Sequence, residues 1–229
     1  MTAALAPDRF VAWLRDEGDR RYHAHHPFNR RMHEGALDAD ALRRWVLNRY
    51  YYQTRIPVKD ALILSKAEDA AFRRWWIRRL HDHDDEDAGL ALWLRLAEAV
   101  GCDVDEVRSC RAVLPGVRFA CDAYVTLVRD ATLVEAVASS LTECFAPDLM
   151  SDRIAAWERH YPWVRPDALA YFRNRVPRAR RDGEEALAFV VREATTYDLQ
   201  ARCVAALIRK TEILWALLDA VEQAGARRA

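Results

Sequence analysis

The sequence is short of the residues that build turn-rich and disulfide-bonded proteins. Its 229 residues include only 7 glycines and 8 prolines, which disfavours a β fold with many tight turns. Its 5 cysteines are an odd number and form no CxxC pair. We therefore expect them to be reduced core residues, as in a cytoplasmic protein.

Charge of one sign and long apolar runs are also missing. Lys plus Arg and Asp plus Glu both total 35, so there is no general attraction to nucleic acid or to an anionic membrane. No apolar run of about eighteen residues occurs, and residues 1–9 lack the apolar segment of a signal peptide. We expect no nucleic-acid partner and no membrane partner, so that any anionic ligand is bound by locally placed arginine and lysine.

What the sequence does have is apolar residues at helical spacing, within a hydrophobic content of 52%. Stripes at steps of three and four residues predict helices along nearly the whole chain, and no alternating strand pattern competes. The prediction is an all-α bundle of about eight to ten helices, forming one domain over residues 1–229. Within it, Pro27 is expected to break a histidine-rich segment, and Ser151 to cap a helix ending at His160.

The longest predicted helix, from a cap at Asp38 to about residue 67, is polar where its buried stripe should be apolar. The middle of that stripe passes through Arg49, Tyr52, Gln53, Ile56, Lys59 and Asp60. Buried charge is costly unless it is paired, so the stripe either lines a wet cavity or contacts a ligand. The alternative is a drifting stripe that leaves Arg49 and Lys59 in solvent. Pro57 is expected to free the carbonyl of Gln53 and to kink the helix.

Three further helices show the same anomaly. Arg79 and His83 stand four residues apart on an aromatic stripe, Tyr171 and Arg175 repeat that spacing, and Lys210 lies on the apolar stripe of the last helix. Each alone is explained by a snorkelling side chain or by a paired structural charge. Together with the longest helix they predict a cationic cavity inside the bundle, suited to a small ligand with several carboxylates.

A metal site is the competing interpretation. His23, His25, His26, His81 and His83 could supply ligands. However, the sequence has no Glu-x-x-His pair of the kind found in di-iron bundles, and histidines two residues apart point to different faces of a helix. Gly-x-Ser-x-Gly elbows and phosphate-binding glycine loops are absent as well. We therefore predict no metal site and no nucleotide cofactor.

Long motifs of the chain resemble those of the pyrroloquinoline-quinone synthase family. They are His26-Pro27-Phe28, Trp45 to Asp60, Asp82-His83-Asp84, Val113 to Tyr124, Ser140 to Pro147, His160 to Trp163, Tyr171 to Arg175 and Lys210 to Trp215. The motifs follow one another in order over nearly the whole chain. The resemblance implies a haem-oxygenase-like fold, with a seven-helix core closed around a buried site, in a homodimer.

The resemblance also implies an oxidoreductase. The family carries out the last step of pyrroloquinoline quinone biosynthesis, in which a quinone precursor with several carboxylates undergoes ring closure and oxidation. O2 is the co-substrate, hydrogen peroxide is released, and neither a metal nor an organic cofactor takes part.

By matching position, the resemblance implies two sets of site residues. The substrate-binding set is Tyr22, Arg49, Tyr52, Gln53, Lys59, Arg79, Tyr124, Thr142, Glu143, Arg153 and Lys210. The catalytic set is His83, Tyr171, Arg175 and His23. Of these, His83 is the candidate general base, because imidazole transfers protons near neutral pH, and Arg175 would stabilise a developing peroxide anion.

The chain departs from the family pattern at a few positions. Met150 and Glu185 stand where the family has histidine, and the loop after the Asp-His-Asp motif is short and acidic, including Glu86. A thioether cannot transfer a proton, so one acid–base step is changed at Met150. Two alternatives follow: a relative that oxidises a different aromatic or quinone substrate, and a non-catalytic quinone-binding protein.

Overall fold

The computed structural model describes residues 3–85 and 87–226, and Glu86 of the acidic loop lies outside the described residues. Within those ranges the chain forms eleven α-helices and three short 3-10 turns, with no strand. The all-α prediction is therefore confirmed. The helix count exceeds the predicted range because three short helices, of six or seven residues each, separate the longer ones.

The helices are α1 (Pro7–Arg21), α2 (Pro27–His33), α3 (Ala39–Ser65), α4 (Ala70–Asp84), α5 (Gly89–Ala99), α6 (Val104–Ser109), α7 (Pro115–Asp130), α8 (Leu133–Ser139), α9 (Ala146–His160), α10 (Ala170–Glu193) and α11 (Tyr197–Ala226). The 3-10 turns span His23–His25, Ser140–Cys144 and Pro166–Leu169.

Helix α3 is central to the bundle, since it packs against α4, α5 and α7. Its predicted cap is confirmed, because the Asp38 side chain accepts a hydrogen bond from the Ala41 N–H at 2.7 Å. The helix continues through Pro57 to Ser65. One uninterrupted helix therefore carries the whole polar stripe into the interior.

One sequence prediction about helix ends is confirmed and another is wrong. The histidine-rich segment is broken at His26, whose backbone is extended, and Pro27 begins α2, because a proline at the first helical position has no N–H to leave unpaired. His26 caps this helix, its Nδ1 accepting the Phe28 N–H at 3.0 Å. Ser151 lies inside α9, which starts at Ala146 with Pro147 in its first turn. Its hydroxyl donates to the Pro147 carbonyl at 2.9 Å instead of capping the helix.

Aromatic residues of the core hold α3, α5, α9 and α10 together next to the site. Trp45 contacts Trp93 and Trp157, with ring centroids 5.4 Å and 6.1 Å apart. Trp93 also packs edge-on against Tyr171 at 4.7 Å and donates its indole N–H to the Val46 carbonyl at 3.0 Å. These contacts fix the position of Tyr171 on α10 relative to α3.

No helix among the described residues combines the length and the apolar character needed to cross a membrane.

Candidate active site

A small cavity of about 40 Å³ lies where α3, α4, α9, α10 and α11 meet two of the 3-10 turns. It is lined by Tyr22, His23, Arg49, Tyr52, Gln53, Ile56, His83, Thr142, Glu143, Ala146, Met150, Tyr171, Arg175 and Leu214. Since a water molecule occupies about 30 Å³ in the liquid, a cavity of this size admits a diatomic molecule or a peroxide, but not a fused-ring quinone.

The structure brings the predicted site residues together in two layers. Eleven of them line the cavity, whereas Lys59, Arg79, Tyr124, Arg153 and Lys210 lie directly behind its wall. All sixteen are buried except the partly buried Glu143. Their roles in binding and catalysis stay predictions.

The alternative that left two cations of α3 in solvent is wrong. Arg49 is 8% exposed and Lys59 is 1% exposed, so both belong to the interior. A buried cation requires a partner, and the cations of this site differ in whether they have one.

One group of cations is neutralised within the protein. The Lys59 ammonium lies 2.6 Å from Asp60 Oδ1 and donates to the Ser140 hydroxyl at 3.1 Å. Arg79 lies 3.6 Å from Asp60 and 3.2 Å from Asp182. Both cations are therefore paired within the protein, and for Arg79 this is the paired structural charge given as an alternative from the sequence.

Arg175 belongs to the same group but faces the cavity. It forms an ion pair with Glu143, and its guanidinium lies 3.7 Å from Asp182. Burial alone would raise the pKa of Asp182, but Arg79 and Arg175 outweigh it and hold that pKa below its usual value. Asp182 is thus an ionised link between the arginines of α4 and α10.

A second group of cations has no acidic partner among the residues that the structure describes. Lys210 donates to the Tyr52 hydroxyl at 2.8 Å, and its ammonium lies 4.3 Å and 3.4 Å from the ring centroids of Tyr52 and Tyr124. Burial, together with the neighbouring Arg49 and Lys59, lowers the pKa of Lys210 well below its ordinary value.

The two arginines of this group are placed similarly. Arg49 stacks 3.9 Å above the Tyr52 ring. Arg153 donates to the Asn29 side-chain oxygen at 3.0 Å, and its Nε has no hydrogen-bond partner. Burial and the nearby Arg49 lower the pKa of Arg153 to about 10. Together with Lys210 they form the unpaired group (Arg49, Arg153 and Lys210), whose charge is suited to an anion brought by a ligand.

Both histidines of the cavity wall are neutral at physiological pH. Burial and the adjacent Arg175 lower the pKa of His83 to about 4, and its Nδ1 lies 3.3 Å from the Arg79 carbonyl. Burial and Arg49 lower the pKa of His23 well below its usual value. His83 is therefore unprotonated and can accept a proton from a ligand, but its pKa of about 4 makes it a weaker base than the near-neutral imidazole that the sequence predicted.

The tyrosines of the wall are held in the protonated form. Burial raises the pKa of Tyr22, Tyr52 and Tyr171 above the ordinary value for a phenol. Each hydroxyl can therefore donate a hydrogen bond to a carboxylate or a quinone oxygen.

Within the described parts of the chain, no group of three or more His, Cys, Asp and Glu side chains is arranged to hold a metal ion. His25 and His81 are exposed, and His26 lies 3.1 Å from Asp219 at the outer end of α11. The five histidines weighed as ligands therefore do not converge.

Sequence reasoning missed three polar residues of this region. Asp182 stands seven residues after Arg175, so extending that stripe through Pro177 would have found it. Asn29 and Ser140 contact Arg153 and Lys59 through side chains from distant segments. Helical spacing carries no signal for such contacts.

A much larger groove of about 810 Å³ lies at the other end of α3, near α6 and the C-terminal end of α11. Its charged side chains are of both signs, among them Arg43, Asp40 and Glu106, and they are partly or fully exposed. Water solvates such groups, so no charge in the groove requires a ligand as its partner. The groove differs in this respect from the small cavity, whose buried cations lack acidic partners.

Comparisons with known proteins agree with this architecture. The family model described as the TENA/THI-4/PQQC family matches residues 12–220. A protein of Pseudomonas syringae pv. tomato named pyrroloquinoline-quinone synthase is 49% identical over 224 residues, which cover 96% of this chain and 89% of that relative. One of Rhizobium meliloti with the same name is 50% identical over 227 residues, covering 98% and 89%.

Solved structures share the fold at low sequence identity. A domain with a haem oxygenase-like fold from Shewanella denitrificans superposes with a TM-score of 0.80 at 13% identity, covering 97% of this chain and 94% of that one. A TenA homologue from Pseudomonas syringae pv. tomato gives 0.78 at 14% identity, covering 97% and 98%. The haem-oxygenase-like prediction is confirmed. The resemblance to the pyrroloquinoline-quinone synthase family is confirmed as well, and the chain belongs to the TENA/THI-4/PQQC family.

Proposed function

We propose that this protein catalyses the last step of pyrroloquinoline quinone biosynthesis. In this reaction an anionic quinone precursor closes its second ring and is oxidised by O2, and hydrogen peroxide is released. The relatives named pyrroloquinoline-quinone synthase, at about half identity over nearly the full chain, support the assignment. The electrons that reduce O2 come from the substrate, so the reaction needs neither a metal nor an organic cofactor.

The observation that carries the proposal is the unpaired group. Arg49, Arg153 and Lys210 are each at most 8% exposed and lack an acidic partner among the described residues. Burial of cations without counter-ions is unfavourable in the free protein, and a ligand with several carboxylates would relieve it. The precursor is such a ligand.

Each of three wall residues would then have its own role in the reaction. His83, neutral at working pH, accepts a proton from the ring-closing substrate, and the Tyr171 hydroxyl donates a hydrogen bond to an oxygen of the quinone or of the reduced O2. Arg175 provides fixed positive charge for the peroxide anion. For each ring oxidised, the substrate loses two electrons and two protons, and O2 gains them as hydrogen peroxide.

Binding requires the cavity to open. Sites for compounds of this size enclose about 300 Å³ or more, whereas the present cavity encloses about 40 Å³. Glu143 lies in the wall and neutralises Arg175, so its movement would both enlarge the cavity and free that cation. The space that remains when the wall is closed suits O2.

The test is turnover of the purified precursor. In air, the quinone spectrum should appear with consumption of O2 and release of peroxide, and without O2 conversion should be at most partial. Arg49→Met should weaken precursor binding roughly tenfold or more, since it removes a buried carboxylate partner. Arg74→Gln, at an exposed and unpaired position of α4, is the matched control and should bind as the unmodified protein does. No spectral change in air would contradict the proposal.

Met150 favours a second candidate, a relative that oxidises a different aromatic or quinone substrate. It lines the cavity at a position where the family pattern has histidine. Synthase activity that appears only in Met150→His would favour this candidate. Tight quinone binding without turnover, unchanged by His83→Ala, would instead favour a non-catalytic binding protein.

We also propose that the protein works as a homodimer in the cytoplasm. The five cysteines are free thiols, which supports a reducing compartment, and one contiguous apolar core supports a single domain. Light scattering on the purified protein tests the dimer, since a monomer mass across micromolar concentrations would contradict it.

A further inference from the structure

We propose that Met150 is a site of sulfoxide formation, oxidised by the hydrogen peroxide released into the same cavity. The inference rests on the proposed function for its oxidant, but the reactivity of the site can be tested without substrate. Nothing in the fold requires a thioether here, since leucine or isoleucine would fill an apolar position equally well. The position matters because of what surrounds the sulfur.

The first argument is location. Met150 on α9 lines the same cavity as His83, Tyr171 and Arg175, the residues placed around O2. Even in its closed form the cavity of about 40 Å³ has room for a peroxide molecule beside its wall. Met150 is only 7% exposed, so oxidants in bulk solvent reach it mainly through the cavity.

The second argument is the neighbouring guanidinium. Arg153 Nη1 lies 4.0 Å from Met150 Sδ, and Arg153 is 3% exposed. Its Nη2 donates to Asn29, its Nε has no acceptor, and no carboxylate among the described residues neutralises it. A thioether is a weak hydrogen-bond acceptor, so Met150 Sδ binds the Arg153 guanidinium only poorly.

Oxidation would change that contact. A sulfoxide oxygen directed toward Arg153 shortens the gap by the length of one S–O bond and gives the guanidinium a strong acceptor. The product state therefore satisfies a buried cation that the thioether leaves without a strong partner. The same guanidinium hydrogen-bonds the leaving oxygen of the peroxide during the reaction.

The step balances without a further reagent. A lone pair of Sδ attacks one oxygen of hydrogen peroxide, the O–O bond breaks, and hydroxide leaves. The proton on the transferred oxygen passes to that hydroxide, which gives water and the neutral sulfoxide. Sulfur is oxidised by two electrons and peroxide is reduced by two.

The polar oxygen would then occupy space in the cavity and hold Arg153, which we expect to slow later turnovers. Methionine sulfoxide is reversed by dedicated reductases, so the loss of activity would be recoverable.

The first experiment exposes the resting protein to hydrogen peroxide alone and follows each methionine by peptide mass analysis. Met32 is fully buried away from the cavity and serves as the internal control. Met150 should gain one oxygen roughly tenfold faster or more, because oxidation follows access to the oxidant. Oxidation of Met150 no faster than that of Met32 would overturn the proposal, whatever the enzyme's substrate.

A variant separates activation by Arg153 from simple access. Arg153→Gln should oxidise at Met150 several-fold more slowly, since the amide hydrogen-bonds the leaving oxygen weakly. Loosening of the fold would act in the opposite direction, because it would expose the sulfur. Faster or unchanged oxidation in this variant would therefore overturn the role of the guanidinium.

The second experiment uses turnover with the precursor in air, with catalase present. Peroxide formed inside the cavity reaches Met150 before catalase can remove it, so the sulfoxide should still accumulate with turnover number. In Met150→Leu no sulfur is present at this position. The turnover rate late in the reaction, divided by the early rate, should therefore stay constant, whatever the initial rate. If catalase prevented all oxidation of Met150, the peroxide would have come from bulk solvent, and the proposed source inside the cavity would be overturned. A failure to convert precursor in air would overturn the proposed function, while the response to added peroxide would still report on the site.

Discussion

The carboxylate of Asp182 on α10 joins the two arginines that flank the cavity, with Oδ2 lying 3.2 Å from Nη1 of Arg79 and 3.7 Å from Nη1 of Arg175. Its side chain is 2% exposed, so water cannot replace either contact. Asp182 therefore neutralises charge on α4 and α10 at once, and it sets where both guanidiniums lie.

Replacing Asp182 by Asn should cost about 3–5 kcal/mol of unfolding free energy, because it removes the buried carboxylate that Arg79 and Arg175 share and leaves only Asp60 and Glu143 to balance them. Urea unfolding at neutral pH measures this loss. The control is Glu185→Gln on the same helix, whose ion pair with Arg78 is 35% exposed on the glutamate side. It should cost no more than about 1 kcal/mol. Equal effects of the two substitutions would contradict the linking role of Asp182.

Lys210 and Lys59 form a matched pair for testing the two groups of cations. Both are 1% exposed, but Lys59 has Asp60 at 2.6 Å and Lys210 has only the Tyr52 hydroxyl. Lys59→Met removes the nearest cation of the buried Asp60 carboxylate, leaving Arg79 at 3.6 Å, and should lower the unfolding free energy by about 3–5 kcal/mol. Lys210→Met should leave it unchanged or raise it by about 1–2 kcal/mol, while precursor affinity falls.

A loss of stability in Lys210→Met as large as that in Lys59→Met would show that the fold already compensates the charge of Lys210. Thermal unfolding of both variants beside the unmodified protein, without ligand, makes the comparison.

His83 makes stability depend on pH between about 4 and 6.5. Its folded pKa is lowered from 6.5 to about 4, so in this window the unfolded chain binds a proton that the native protein does not. The free energy of unfolding is therefore not reduced by this group above pH 6.5. It falls as the pH drops toward 4, by on the order of 3 kcal/mol.

His83→Gln should flatten that part of the unfolding free energy profile. His81→Gln, an exposed position on the same helix, should leave it unchanged. For the enzyme, the acidic limb of kcat/KM assigned to His83 should lie well below pH 6, since the base is protonated only near its lowered pKa. A limb at pH 6.5 would contradict the assignment of His83 as the base.

Gly183 permits the close approach of α10 to the 3-10 turn that carries Thr142 and Glu143. A Cβ at this position would lie 3.0 Å from the Cys144 amide nitrogen and 3.1 Å from its Cα, and backbone atoms cannot easily move aside. Gly183→Ala should therefore destabilise by about 1–3 kcal/mol, although alanine is otherwise the better helix former. Urea unfolding beside the exposed Glu184→Ala, expected within about 0.5 kcal/mol of the parent, tests this.

Helical spacing predicted about half of the cavity wall. A stripe reports which residues share a face, so polar residues on a buried stripe identified Arg49 and Gln53 on α3, His83 on α4, and Tyr171 and Arg175 on α10. The family resemblance added residues of the 3-10 turns, which are too short to show a period, and residues of α9. Both lines of reasoning place side chains on elements and neither measures distances between elements.

That limit explains what was missed. Lys59 pairs with its neighbour in the sequence, Asp60, but whether Lys210 has an acidic partner depends on which side chains other elements bring near it, and no local pattern encodes this. Ser151 carries the side chain of a helix cap, but Pro147 starts the helix one turn earlier and places the serine inside it. The size of the cavity likewise follows from packing of the whole bundle.

The unpaired group also has a consequence for how the anionic precursor proposed as substrate would approach. The chain has 35 basic and 35 acidic residues, so withdrawing the three cations of that group into the interior leaves the rest of the molecule with three more anions than cations. The buried cations still count toward the field at a distance, so an approaching polyanion meets a molecule of zero net charge and is attracted only near the entrance. Added salt, which screens charges over about 8 Å, should therefore change the association rate little, as stopped-flow tryptophan fluorescence can measure. We then expect the opening of the cavity wall, and not electrostatic steering over long distances, to limit capture.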